Sequence, residues 1–240
     1  MAVLISLSIS DMLVTGLIFS KGITSINYFQ FLIPGIVVIG LFSAATDTGR
    51  RIWLALREGV VQYYMALPIR TTGLVGAYIV SGGLGGIVYS GILLLIASVL
   101  MPRVGIMNAL IVIPFLFILS TGIAGLAAFF ASISRRGEIY WVYAQALQVI
   151  MVTVSTVFYP ADAIRNHLPG PQYLKDPIAT VAQYNPLSLA ANILRDSAFG
   201  NSPLNTMTLV NLLATSLPLA GLGALSYWII LRTMKLKGKP

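Results

Sequence analysis

The sequence predicts an all-α integral membrane protein with six transmembrane helices, an interfacial helix on the inner side and short re-entrant helices on the outer side. Three observations carry this reading. Hydrophobic residues make up 57% of the 240 and charged residues only 9%, with a mean hydropathy of +0.88. A soluble domain uses about 25% charged residues to cover its surface. Several apolar runs approach or exceed the roughly 20 residues needed to cross a bilayer, and the basic residues gather in alternate connections between those runs.

The first span covers about residues 2–19. Its opening, MAVLISLSISDML, has neither the basic flank nor the small-residue cleavage site of a signal peptide, so it reads as a membrane helix. Asp11 interrupts it; an acid at membrane depth is a functional candidate by default, but the sequence assigns Asp11 no role. The second span, about 28–46, opens with FQFLIPGIVVIGLF. The third and fourth, about 74–100 and 104–132, leave only the tight turn Met101-Pro102-Arg103 between them. The fifth covers about 138–158 and the sixth about 207–231, all within one membrane domain, 1–240.

Charge sets the topology. With both termini in the cytoplasm, the inner segments hold Arg50, Arg51, Arg57, Arg70, Arg135, Arg136, Arg232, Lys235, Lys237 and Lys239. The outer segments hold Lys21, Arg103, Arg165, Lys175 and Arg195, of which the last three lie in one long connection where the charge rule weakens. A multi-pass protein of the cell membrane with both ends cytoplasmic follows. The net charge of +8 is thereby explained by topology, and dispersed short basic loops give no nucleic-acid surface.

Between spans two and three stands RRIWLALREGVVQYYMALPIR, residues 50–70. On a helical wheel Ile52, Leu56, Val60, Tyr63 and Leu67 share one face, while Arg50, Arg51, Arg57, Glu58 and Gln62 share the other. This predicts a helix over about 50–67 lying along the inner membrane boundary, apolar side down. Gly59 weakens it by about 1 kcal/mol, and Pro68 ends it. Leu54, Val61 and Met65 sit among the charges: either apolar anchors within a polar docking rim, or the imperfections of a lipid-surface helix.

Two patterns concern packing and the interior. Gly82, Gly86 and Ser90 in span three, and Ser120, Ala124, Ala128 and Ser132 in span four, recur at every fourth position. Small residues so spaced let helix backbones approach closely in lipid, within one chain or between two. In span five Gln145, Gln148, Ser155, Thr156 and Tyr159 fall within about 100° on the wheel. Such a polar stripe either lines a substrate pathway or makes helix-to-helix hydrogen bonds.

The connection over residues 159–205 is too long for a hairpin and too apolar for a free loop. In QYNPLSLAANILRD an Asn-Pro turn precedes a helical run, as in a half-helix that re-enters the outer leaflet with its ends buried in protein. His167, in HLPGP, reads as a solvated loop histidine, and no metal site is expected. The chain has no Cys, hence no disulfide or thiolate ligand. SGGLGG, at 81–86, lacks the lysine and spacing of a phosphate-binding loop.

FLIPGI opens span two at Phe31, REG follows on the inner side at Arg57, and ALPIR ends that segment at Arg70. FYP comes at Phe158 after span five, and NPLS at Asn185 then LR at Leu194 precede span six. In this order and spacing the chain, from Phe31 onward, resembles the membrane (permease) subunit of ABC-2 type exporters. The resemblance implies a coupling helix that docks into a separate cytoplasmic ABC ATPase through Leu54, Arg57, Glu58, Gly59, Val61, Met65 and Pro68. It also implies a homodimer, or a heterodimer with a related permease, around a central pathway. This chain would then be no enzyme and hold no cofactor; ATP and Mg would belong to the partner ATPase. Gln145, Gln148, Ser155, Thr156 and Tyr159 are the candidate pathway residues. Two departures stand out: Val60-Val61-Gln62 replaces the Thr and second acid common in the family, and the amphipathic helix usual before span one is missing. The alternative is a secondary transporter or channel working without an ATPase. A membrane-embedded enzyme would need a nucleophile or paired carboxylates, and the acids here are scattered.

Overall fold

Helices form here because nothing in the apolar runs competes with them: a backbone crossing lipid must satisfy its own hydrogen bonds, and the α-helix does so within one segment. The computed structural model describes residues 10, 14, 28–58, 63, 71–100, 106–134, 136–167, 171–199 and 206–237. All regular elements among these are helical: α1 (Tyr28–Arg57), α2 (Thr71–Leu100), α3 (Ile106–Ile133), α4 (Gly137–Thr153), α5 (Ala161–His167), α6 (Gln172–Tyr184), α7 (Pro186–Leu194) and α8 (Thr206–Lys237). A π-helical turn, Arg195–Phe199, continues α7. Pro34, Pro114 and Pro218 lie inside long helices, where packed neighbours make them tolerable.

Three helical stretches are long and apolar enough to cross a membrane: Tyr28–Ala55, Gly76–Val99 and Ile111–Ile133. The protein is therefore a multi-pass, all-α membrane protein. Among the described residues of α8, Leu209–Leu219 forms a shorter apolar stretch. The predicted first span, residues 2–19 with Asp11, falls almost wholly outside the described residues.

α2 runs antiparallel to α1 and to α3, which are parallel to each other. At one end Ile52 and Ala55 of α1 are buried against Ala128 and Ala131 of α3 and Tyr140 and Ala144 of α4. At the other end Tyr28, Leu32, Ile33 and Ile36 of α1 meet Ala97 of α2. Between them lies the main core, with Leu41, Phe42, Tyr89, Leu93, Leu116, Leu119, Leu187, Ile193 and Leu212 almost wholly buried. α2 turns Val80, Leu84, Val88, Leu95 and Val99 outward as an exposed apolar stripe.

The small-residue ridges are intramolecular seams. A methyl group at Gly82 would stand 2.8 Å from Thr48 Cβ of α1 and 2.9 Å from Ala124 Cβ of α3. One at Gly86 would collide with the Ser120 hydroxyl, which donates to Gly83 O at 3.0 Å. Three backbones thus meet where a larger residue would force them apart.

Two predicted elements are corrected. The inner helix expected over about 50–67 does not begin at Arg50: residues 50–57 are the last two turns of α1, closed by Glu58 N–H donating to Leu54 O at 2.8 Å. Its apolar side, expected to face lipid, is covered by protein at Ile52. No proline separates Thr46 from Arg57, and Gly49 is kept by close packing, a methyl group there standing 2.5 Å from Ala127 O, so α1 continues as one rod. The fifth span, expected over 138–158, ends its helix at Thr153. Seventeen residues rise roughly 25 Å, short of the ~30 Å hydrocarbon core, and the chain continues as non-helical backbone over 154–160.

Candidate functional site: the broken fifth helix and the groove beside it

The break begins where β-branched and hydroxyl residues accumulate, Thr153-Val154-Ser155-Thr156-Val157. Their side chains either crowd the preceding turn or offer the backbone a rival partner. Ser155 does the latter: its hydroxyl donates to Val152 O at 2.6 Å and accepts from Val157 N–H at 3.4 Å. Pro160, which cannot donate, closes the segment.

A buried break exposes peptide groups that must find partners, and four side chains from elsewhere supply them. The Asn185 amide donates to Met151 O at 2.9 Å, while its carbonyl caps α7 by accepting from Leu187 N–H at 2.9 Å. Pro186 follows as the first helical residue, a position where the missing N–H costs nothing. The Ser188 hydroxyl, fully buried, accepts the Thr156 N–H at 2.8 Å. The Tyr28 hydroxyl donates to Phe158 O at 3.0 Å.

Arg195 completes the joint. Its Nε donates to Phe31 O at 3.0 Å, Nη2 to Thr156 O at 3.2 Å and Val157 O at 3.0 Å, and Nη1 to Asn192 Oδ1 at 2.7 Å. The guanidinium lies 3.7 Å from the centroid of the Phe31 ring, a cation–π contact. Burial pushes its pKa down to about 10, partly opposed by Asp196 and Tyr28, so it stays charged at neutral pH. Gly35 lets α1 come this close: a methyl group there would stand 2.5 Å from Val157 Cγ1 and 2.8 Å from Val157 O. The segments FLIPGI, FYP, NPLS and LR, far apart in the sequence, therefore meet at one point.

The predicted polar stripe divides at this break. Gln145 and Gln148 line a groove of about 330 Å³ between α1 and α4, with Ile36, Ile39, Val149, Val152, Thr153 and Phe158. Ser155 and Thr156 lie beyond the helix end and are buried; the Tyr159 hydroxyl donates back to Thr153 O. The five residues do not share one helical face, because the wheel assumed a helix that stops at Thr153. The groove joins two amide side chains to an otherwise apolar wall. Such a surface can hold an apolar molecule and orient one polar group.

At the opposite end the inner residues are less assembled. Asp47 pairs with both Arg50 Nε (2.7 Å) and Arg51 Nε (2.9 Å). The Tyr140 hydroxyl donates to Thr46 O at 3.0 Å, tying α4 to α1. Of the predicted docking residues, Leu54 is half-buried on α1 and Glu58 is exposed just past its end. Arg57 is the last residue of α1. Gly59, Val61, Met65 and Pro68 lie outside the described residues. Among the described residues no three His, Asp or Glu side chains come together as a metal site requires.

Sequence reasoning did not single out Tyr28, Asn185, Ser188 and Arg195 as site residues. One signal was available: an arginine ending the apolar run LSLAANILR needs partners where that run is buried. No protein-family model matches this chain, and no curated protein matches it.

Proposed function

We propose that the chain is the membrane-spanning permease subunit of an ATP-driven ABC exporter, forming the substrate path and docking a separate ATPase. One observation supports the reading above others: four of the six motifs on which the resemblance rests, FLIPGI, FYP, NPLS and LR, meet at the broken fifth helix. A joint built from three distant stretches of chain explains why these four would occur together and in this order. On this reading Arg50, Arg51 and Arg136 mark the cytoplasmic end. Nucleotide binding would move the segment after α1, through Leu54, Arg57, Glu58, Gly59, Val61, Met65 and Pro68. α1 would transmit that motion as a lever along its length. The groove holding Gln145 and Gln148 would face a second permease copy and line the path. Apolar drugs, lipids and glycolipids all suit its walls.

The test is a pull-down of the purified full chain in detergent against the P-loop ATPase encoded beside it, with and without Glu58→Arg plus Val61→Asp. Capture by the wild type, lost in a double variant that still elutes as a folded species, is the expected result. A chain that captures no ATPase, or a double variant that captures it equally, contradicts the reading and favours a transporter or channel working without nucleotide.

A further inference from the structure

The far side of the Arg195 joint opens into a second cavity, of about 290 Å³, separate from the glutamine groove. Phe31, Thr156, Gln183, Asn192, Arg195 and Asn211 are among its walls. Two features of this cavity are not explained by the joint.

The first is charge. Arg195 is a partly buried cation, and no carboxylate lies within 4.0 Å of it among the described residues. Its neighbour Asp196 acts on it only through space. Carbonyl dipoles solvate the guanidinium but leave its positive charge uncompensated, and a buried charge without a counter-ion is costly. The second is unused hydrogen-bonding capacity. Arginine carries five N–H donors, and among the described residues the four acceptors around Arg195 leave one Nη1–H without a partner. The Thr156 hydroxyl, on a residue only 4% exposed, also has no partner among the described residues. Both residues line the same cavity, as do the carboxamide residues Gln183 and Asn211. At about ten times the ~30 Å³ share of one water in the liquid, the space exceeds what a single bridging water needs.

We propose that this cavity binds a phosphate group, with Arg195 as counter-ion and the Thr156 hydroxyl as a second donor. A phosphate supplies the missing negative charge and accepts from several donors at once, which a neutral polar group cannot do. α6 beside the cavity exposes Tyr173, Leu174, Ile178 and Val181, an apolar face of the kind carried by a helix lying among phosphate headgroups. The inference stands apart from the exporter reading, since it needs neither an ATPase nor a second permease.

The experiment is native mass spectrometry of the full chain in maltoside micelles, titrated separately with dioleoylphosphatidylglycerol and with dioleoylglycerol, which has the same chains and no phosphate. The wild type should retain phosphatidylglycerol and not dioleoylglycerol. Thr156→Val, which keeps the shape and removes a hydroxyl that no protein group uses, should weaken that binding about tenfold. Asn211→Leu serves as a second variant from another helix. Competition by millimolar inorganic phosphate identifies a site open to soluble anions, and its failure identifies a lipid headgroup; both support the proposal. Equal retention of the two lipids, or unchanged affinity in both variants, overturns it and leaves Arg195 as a structural staple alone.

Discussion

Arginines stand at both ends of α1, and the two groups do different work. Arg50 and Arg51 share Asp47 within the last turns of the helix, with side chains 42% and 56% exposed. Arg195 comes from a distant segment, meets three backbone carbonyls and one amide oxygen, and lies against Phe31. The first pair is a surface feature that water could replace. The second joins the Phe31 carbonyl of α1 to the carbonyls of the non-helical stretch after α4. The difference shows that in this protein the stabilising value of an arginine follows from what its removal would expose, more than from whether it faces an acid.

The largest effect separating the two ends should come from Arg195→Ala. Three carbonyls and the Asn192 side chain lose their donor, at a cost on the order of 3–5 kcal/mol. Thermal unfolding in detergent should show it as a large fall in midpoint. Arg195→Lys, which keeps the charge without the planar fork, should recover less than half. Ser188→Ala leaves the buried Thr156 N–H without an acceptor and should cost about 1–3 kcal/mol. Asp47→Asn, which weakens both exposed pairs, should change stability by less than about 1 kcal/mol. If Asp47→Asn proves as damaging as Arg195→Ala, the contrast between the two ends fails. Gln145→Leu with Gln148→Leu should leave the unfolding midpoint within about 0.5 kcal/mol of wild type while lowering transport, because neither amide supports the joint.

How much of this could be read from the sequence follows the same physical division. Spans three and four were placed within three residues of α2 and α3, because hydropathy records the membrane crossing directly. The small-residue ridges were legible for the same reason, since close backbone approach needs Gly, Ala and Ser at fixed spacing. The end of α4 was not. Val154-Ser155-Thr156-Val157 is as apolar overall as the helix before it, so a wheel carried Ser155, Thr156 and Tyr159 onto a face that does not exist. Arg195 counted as an outer charge and as half of the LR motif, with no structural role, because the carbonyls it meets are more than thirty residues away and have no sequence signature. The inner segment failed differently. Ile52 was expected on a covered apolar face, yet a wheel cannot tell whether lipid or the Ala128–Tyr140 surface covers it.

The central structural claim is that residues 154–159 form a built joint and not a loose linker. Hydrogen–deuterium exchange of the peptide covering Met151–Tyr159, in wild type and Ser188→Ala, tests it most directly. Slow exchange at Thr156 in the wild type, close to that of α3 and released by the substitution, is the result this account requires. Fast, loop-like exchange in the wild type, or protection that Ser188→Ala leaves untouched, would contradict it.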